Sequence, residues 1–534
     1  MRIQRLIVVF LLILGGKLCA QSWYQVSFTD KATATKPALS VEALKRRVLH
    51  GIHLDSTDFP VSPVYLQQLI SMGVKPERVS RWLNCVICQI DSVTLKRVQQ
   101  LHFVQEAKPI VGFTKKRKQY VKKPTGVTLH AQNGKVEGIS NTQLTQLQID
   151  KLHQIGYYGQ GMLIAVFDNG FENVPKIGAF SRTQIIDTYN FVIDTAEVYA
   201  AGTHGTQVLS VMAADPSSGL IGAAPFAKFA LYVTEDNNSE TLTEEFNWVV
   251  AAERADSVGA RIFTTSLGYT TFDNGVGDHS WQSLDGNTTP ITQAANMAAR
   301  KGSLVINSAG NEGNKSWRYI TPPADGDSVL AVGSVNASGV RSSFSSVGNN
   351  IDGQIKPDLV TMGEQVTVIT SSGQISTANG TSFSCPLLAG LSACLWQSVP
   401  NQPAWNIKEA LIRSADRFQH PDSLYGYGMP HAVKSFKLLT EKAFVSDKFV
   451  FPNPASTYFG IALQEGDTAG NAVCQLYDTS GKCVFQQTYS LPQSLGVILV
   501  FKDQLKLHEN SQLFLLRLQI NDKPTYVQKI VLTE

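Results

Sequence analysis

Between about Asn141 and Leu439, uninterrupted apolar stretches of strand length alternate with helical stretches, and this constrains the fold more than anything else in the chain. The stretch Met162-Leu163-Ile164-Ala165-Val166-Phe167 contains no polar residue, so the strand it predicts is covered on both faces. Residues 262–266, 304–307 and 329–332 are further strand candidates. Helical patterns lie between them, over 242–257 and, starting after Pro290, to Arg300. Leu144, Leu147, Leu152 and Ile155 mark a further helix that breaks at Gly156. Buried strands joined by helices mean an α/β domain built on a parallel sheet.

The flanks have a different texture. The start carries Arg2 and Arg5, an apolar run over 6–16 and then Leu18-Cys19-Ala20. That is a charged region, a short hydrophobic region and a cleavage site, and the run is too short to span a bilayer. Residues 24–28 alternate like a strand, 64–72 form a helix ending at Gly73, 86–90 is strand-like and 92–101 helical. This small α+β unit runs into a basic stretch that includes Lys115-Lys116-Arg117-Lys118 and Lys122-Lys123 and reads as an exposed linker. Beyond Thr440 the helical signal stops. Turn clusters at Pro452-Asn453-Pro454, 464–471, 478–481 and 521–524 separate short alternating runs such as 473–477 and 514–520, the pattern of a β-sandwich. The division expected is a signal peptide over 1–20, a leading unit with its linker over 21–140, the α/β domain over 141–440 and the sandwich over 441–534.

Charge excludes some partners. The net charge of +3 is too small for a nucleic-acid surface, and the lone Tyr120 in the basic run falls short of the interleaved aromatics a base-stacking platform requires. Export permits disulfides. Cys385 and Cys394 fall on one predicted helix, ~13 Å apart at 1.5 Å per residue, too far to bond. Cys85-x-x-Cys88 has no second pair to complete a zinc site. Cys474 and Cys483, flanking a turn, are the best disulfide candidates.

The chemistry-bearing residues sit where a parallel sheet gathers ligands, beyond the carboxyl ends of its strands. Asp168 closes the strand over 162–167 and precedes Asn169-Gly170. His204 lies in Gly202-Thr203-His204-Gly205-Thr206 ahead of a helix. Ser382 lies in Gly380-Thr381-Ser382-Phe383-Ser384-Cys385-Pro386 at the head of another. A serine hydroxyl needs an imidazole to take its proton, and the imidazole needs a carboxylate to fix its tautomer. A helix start supplies N–H donors and a favourable dipole for a developing oxyanion. Ser308-Ala309-Gly310-Asn311 follows another strand and offers Asn311 as a second donor. Singly these are ordinary: a turn aspartate, a histidine among glycines, a serine N-cap.

Together, in the order Asp…His…Ser, the four segments resemble the signature blocks of the subtilisin-like serine proteases (peptidase S8) over most of residues 145–435. The resemblance implies a subtilisin-like parallel-sheet catalytic domain hydrolysing peptide bonds through an acyl-enzyme. Asp168 would orient, His204 would act as base and then acid, and Ser382 would be the nucleophile. Asn311 and the Ser382 N–H would form the oxyanion hole. Ser266-Leu267-Gly268, with Ala309 and Gly310, resembles the substrate-binding edge, where an extended peptide pairs with backbone. The leading α+β unit resembles the inhibitory prosegment of these proteases. The final unit resembles the type IX secretion sorting domain of Bacteroidota, although Gln512-Leu513-Phe514 replaces the usual Gly-x-Tyr strand start.

No cofactor is required in this picture. A structural calcium is allowed, but no matching loop is recognisable; Asp278 and Asp285 belong to a polar insertion that reads as solvated. The partners implied are a peptide or protein substrate, the chain's own prosegment and the secretion machinery, without nucleic acid and with a monomer expected. The protein is expected to be exported, either released or attached to the outer cell surface. A catalytically silent, surface-displayed binding protein on the same fold is the alternative. An α/β-hydrolase esterase is excluded by the order of the three residues and by Ser384, which breaks Gly-x-Ser-x-Gly.

Overall fold

The computed structural model describes residues 21–32, 36–113, 141–444, 450–451, 458–462, 470–491, 497–501, 504–505, 513–521 and 525–532. The leader over 1–20, the basic linker over 114–140, Pro452-Asn453-Pro454 and Gln512 lie outside them. The chain forms two compact units, Met1–Pro37 with Asp55–Phe113, and Ala38–Leu54 with Thr114–Glu534.

The smaller unit is a four-stranded antiparallel sheet, in the order β2-β3-β1-β4, with helices α2 and α3. Its strands are β1 (Ser22–Phe28), β2 (Pro76–Ser80), β3 (Cys85–Ile90) and β4 (Val104–Pro109). Helix α2 (Pro63–Ser71) opens on proline, and α3 (Ser92–Val98) is capped by Asp91, whose side chain accepts from the Val93 and Thr94 N–H groups. Val26, Phe28, Leu69, Val86 and Phe103 fill the core between sheet and helices. Cys85 and Cys88 are buried and form no disulfide, and burial pushes the Cys88 thiol up to about 12.

The larger unit begins with α1 (Val41–Leu49), a helix contributed by the stretch that interrupts the smaller unit. The expected helix over 144–155 is two helices, α4 (Asn141–Gln146) and α5 (Ile149–Gln154), because Gln148 adopts a left-handed conformation, φ 62°, between them. Seven parallel strands follow: β5 (Leu163–Asp168), β6 (Gln184–Asn190), β7 (Lys228–Val233), β8 (Ile262–Thr265), β9 (Leu304–Ser308), β10 (Leu330–Val335) and β11 (Leu359–Met362). Their order is β11-β10-β9-β8-β5-β7-β6. The chain leaves β5 first toward β6 and β7 and then crosses to β8, so β5 stands where the winding reverses. Every residue of β5, β8, β9, β10 and β11 is buried, the polar Thr264, Thr265, Asn307, Ser308, Ser334 and Thr361 among them, as a sheet covered on both faces requires.

Helices α6 (His204–Ala213), α7 (Leu242–Val258), α8 (Pro290–Arg300), α9 (Thr381–Ser398), α10 (Ala404–Ser414) and α11 (Ala432–Phe444) complete this domain, with a hairpin of β12 (Val366–Ile369) and β13 (Ile375–Ala378). Helix α9 has no polar face: apart from Gln397, all its residues are buried. Its small residues allow that depth; a Cβ on Gly390 would come within 2.4 Å of Ala223. Cys385 and Cys394 are buried on this one helix as free thiols.

The C-terminal region is antiparallel β, with β14 (Val450–Phe451), β15 (Tyr458–Ala462), β16 (Gly470–Tyr477), β17 (Cys483–Leu491), β18 (Val497–Phe501), β19 (Leu513–Ile520) and β20 (Tyr526–Val531). They form sheets ordered β14-β15-β18 and β17-β16-β19-β20, whose buried residues join one apolar cluster that includes Phe459, Ile498, Leu476 and Leu516. The expected Cys474–Cys483 disulfide is absent. Both cysteines are free, because the register pairs Cys474 with Gln487 and Cys483 with Tyr477. The turn between them is as read, with Asp478 accepting from the Ser480 and Lys482 N–H groups.

Candidate active site

Three chain segments meet at the carboxyl edge of the sheet. Asp168 is the last residue of β5, His204 the first of α6 and Ser382 the second of α9. The β5 and α6 segments are clamped together. The Gly202 N–H donates to the Asn169 carbonyl at 3.1 Å, and a Cβ on Gly205 would stand 2.4 Å from the Gly170 carbonyl oxygen and 3.0 Å from the Asp168 Cβ. Glycine at 205 is therefore what lets the histidine helix close on the aspartate.

Asp168 is fully buried. Its Oδ1 accepts from its neighbour's N–H, Asn169, and from His204 Nδ1, both at 2.8 Å. The imidazole edge remains partly accessible, with 31 % of the side chain exposed. Burial pulls the His204 pKa down, but the Asp168 charge and its hydrogen bond together outweigh burial and leave the pKa above the ordinary histidine value. With Nδ1 bound to the carboxylate, Nε2 is the nitrogen left for chemistry.

Gly380 precedes α9 with φ 149° and ψ 149°, a backbone state open only to glycine, and as the N-cap it has no side chain of its own to cap the helix. Ser382 is nearly buried, and its hydroxyl donates to the Ser266 carbonyl at 3.3 Å while the Ser266 hydroxyl donates to the Ser382 carbonyl at 2.8 Å. The ring of Phe383, next along the helix, lies 5.8 Å from the His204 ring. Asn311 Oδ1 accepts from the Thr381 N–H at 2.9 Å and hydroxyl at 3.0 Å. Its oxygen is thus committed to the head of α9, and the amide nitrogen is the half left to donate.

The stretch Ser266-Leu267-Gly268 follows β8, and Ala309-Gly310 follows β9. Several of their carbonyls are already engaged. Leu267 accepts from Asn307 Nδ2 at 3.0 Å, Ala309 from the Thr321 N–H at 3.1 Å and Gly310 from the Ser346 N–H at 2.9 Å. Thr321 packs between the two segments: a Cβ on Gly268 would fall 1.9 Å from its hydroxyl, and one on Gly310 3.0 Å from it.

A neighbouring acidic group was not anticipated from sequence. The Thr234 N–H donates to the Asp168 carbonyl, and Glu235 beside it accepts from the Tyr269 hydroxyl at 2.5 Å. Burial pushes Glu235 up to about 8, with the charges of Glu240 and Asp168 adding to it; burial pushes Glu244 up to about 10, with the charges of Glu235 and Glu240 adding; and burial takes Glu240 up to about 7. The density of carboxylates over 235–245 was the available signal. Asp278 and Asp285, candidate cation ligands, serve their own loops. Asp278 accepts from the Phe272 N–H, and Asp285 from the N–H groups of Asn287 and Thr288 and the hydroxyl of Thr288. Among the described residues no cluster of three or more potential ligands is arranged for a metal.

Three family models match the chain. Residues 159–428, about half its length, match the Subtilase family; 23–125 match the Peptidase S8 propeptide domain, Bacteroidota; and 449–532 match the Secretion system C-terminal sorting domain. A thermostable alkaline protease of Halalkalibacterium halodurans is 27% identical over 362 residues, covering 66% of this chain and 91% of that one. Thermitase of Thermoactinomyces vulgaris is 28% identical over 281 residues, 52% of this chain and 89% of that one. Subtilisin NAT of Bacillus subtilis subsp. natto is 28% identical over 276 residues, 51% of this chain and 65% of that one. Among solved structures, the epidermin leader peptide processing serine protease of Staphylococcus aureus superposes with a TM-score of 0.55 at 16% identity, covering 78% of this chain and 98% of that one.

Proposed function

From the premise that the chain belongs to the subtilase family, and is a serine endopeptidase exported with a propeptide domain and a C-terminal secretion sorting domain, we propose that Asp168, His204 and Ser382 are its catalytic triad. The Asp168–His204 hydrogen bond, 2.8 Å from a fully buried carboxylate, carries this reading. It fixes the tautomer that leaves Nε2 free to accept a proton.

In the reaction, Ser382 Oγ turns from the Ser266 carbonyl toward the scissile carbonyl carbon and gives its proton to His204 Nε2. The carbonyl oxygen takes the negative charge, held by the Ser382 N–H at the head of α9 and by Asn311 Nδ2. His204 then protonates the departing amine, leaving Ser382 acylated. Water, deprotonated by the same imidazole, hydrolyses the ester and restores the serine. Asp168 stays ionised and stabilises the imidazolium. No step calls for a cofactor. The substrate's extended backbone lies along 266–268 and 309–310, with Thr321 filling the space between Gly268 and Gly310. The domain assignment proposed is removal of 1–20 on export, loss of 21–140 on maturation, catalysis by 141–440 and sorting through 441–534.

Peptide hydrolysis by the matured protein tests the assignment, with Ser382→Ala as its control. Turnover in the variant should fall by about 10³-fold or more, to the residue of binding and oxyanion stabilisation. A variant that keeps wild-type turnover rules out Ser382 as nucleophile. An unmutated protein with no turnover and no uptake of a serine-directed fluorophosphonate supports the silent binding protein instead.

A further inference from the structure

Helix α1 lies within the propeptide match yet belongs to the same compact unit as the catalytic domain, and the reason is a pair of buried arginines. Arg46 is 2 % exposed and Arg47 1 %, and both guanidinium groups converge on Asp256, which is fully buried in the last turn of α7. Arg46 Nη2 lies 2.5 Å from Asp256 Oδ1, and Arg47 Nη2 lies 2.9 Å from each carboxylate oxygen. Each arginine also finishes a helix. Arg46 Nη1 donates to the Ala260 carbonyl, just past the end of α7, and to the Ser303 hydroxyl at 3.1 Å. Arg47 Nη1 donates to the carbonyl of Lys301, the C-cap of α8.

The electrostatics of α7 explain why such a pair is wanted. A helix C-terminus carries partial negative charge, and a carboxylate in the last turn is the wrong sign there. Helix α7 has no basic residue in its last turn to compensate Asp256. Two guanidinium groups from another segment neutralise the carboxylate and satisfy the terminal carbonyls of both helices, which a lysine's point charge cannot do with the same fork geometry. The rest of the segment follows: the Ser40 N–H donates to the Ser257 carbonyl at 2.8 Å, and His50 stacks on Trp396 at 6.0 Å. Helices α7 and α8 lead into β8 and β9, so this site lies at the amino edge of the sheet, opposite the edge that bears Asp168 and Ser382.

We propose that the C-terminal ends of α7 and α8, with Asp256 between them, form an exosite for a paired-arginine helix, and that residues 38–54 are its ligand. The exosite is separate from the substrate site, so cutting the chain beyond Phe113 does not by itself release this helix. The proposal rests on the catalytic reading only for the meaning of that cut.

The test uses the full chain carrying Arg46→Ala with Arg47→Ala, which vacates the site, and a dye-labelled synthetic peptide of residues 38–54 read by fluorescence anisotropy. Saturable binding is expected, weaker by about 100-fold or more for a peptide with both arginines replaced, the scale for removing one partner of a buried ion pair. Blocking the active serine with a covalent reagent should leave it unchanged. Equal binding of the two peptides, no binding, or loss of binding on active-site blockade overturns the proposal. A second readout guards against a vacated chain that does not fold: amide exchange in the full chain with Asp256→Asn. Loss of protection of tenfold or more over residues 43–50, with β5 and β9 unchanged, supports the exosite. Unchanged protection, or a loss that spreads to β5 and β9, overturns it. Neither measurement reads turnover, so an inactive triad would leave both results standing.

Discussion

Replacing Asp168 with asparagine keeps the size of the residue and removes its charge. In the wild-type site the carboxylate accepts from two N–H groups at once, Asn169 and His204 Nδ1, and the chain packs tightly around it through Gly205. The amide that replaces it can offer an NH₂ to the imidazole, which selects the tautomer protonated on Nε2 and leaves no base facing Ser382. It also removes the charge that stabilises the imidazolium. The wrong-tautomer penalty in such triads is about 10⁴ in kcat, which is about 5.4 kcal/mol of barrier at 1.36 kcal/mol per tenfold. The fold should survive, since shape and packing are retained. The pH dependence gives an independent sign. Asp168 holds the His204 pKa above its usual value, and the base must be neutral, so the acid limb of kcat/KM should move to lower pH in the variant. The assay is kcat and kcat/KM from pH 5 to 9 on a chromogenic peptide, alongside the melting temperature. A variant within tenfold of wild type, or one whose acid limb moves upward, refutes the assigned role of Asp168.

Two further outcomes follow from neighbouring groups. Asn311→Ala should lower kcat by about 10²–10³ with little change in KM, a size borrowed from the corresponding asparagine of a subtilisin; a change confined to KM would remove Asn311 from the oxyanion hole. Burial raises Glu235, Glu240 and Glu244, so the folded chain binds more protons than the unfolded chain between the ordinary carboxylate pKa of 4.5 and at least about 7. Stability therefore falls as pH rises through that window, and Glu235→Gln should flatten the fall in melting temperature; an unchanged slope would mean that Glu235 is ionised in the fold.

The parts of the fold written in the sequence are those set by burial on both faces and by local chemistry. The strands β5, β8, β9 and β10 stood out because a parallel sheet covered on both sides favours short apolar runs, and α8 announced itself through Pro290. The edge strand β6, Gln184–Asn190, mixes exposed and buried positions and gave no such signal. The break at Gln148 was invisible because the apolar spacing runs through it.

Within the site, the triad residues were legible because glycines and helix starts mark where backbone must approach closely. The engaged carbonyls of Leu267 and Ala309 and the position of Thr321 depend on contacts across loops and could not be read. The proximity of Cys474 and Cys483 in sequence suggested a disulfide, but strand register, not spacing, decides whether two cysteines face each other. Arg46, Arg47 and the helix that carries them gave no sequence signal. Their partner lies more than two hundred residues along the chain, and no local pattern points to it.

Labelling of the matured protein with a fluorophosphonate, followed by mass spectrometry of its peptides, tests the central assignment most directly. A single adduct on Ser382, lost when His204 is replaced by alanine, is the predicted result. An adduct on a different serine, or labelling of Ser382 that survives the loss of His204, contradicts it.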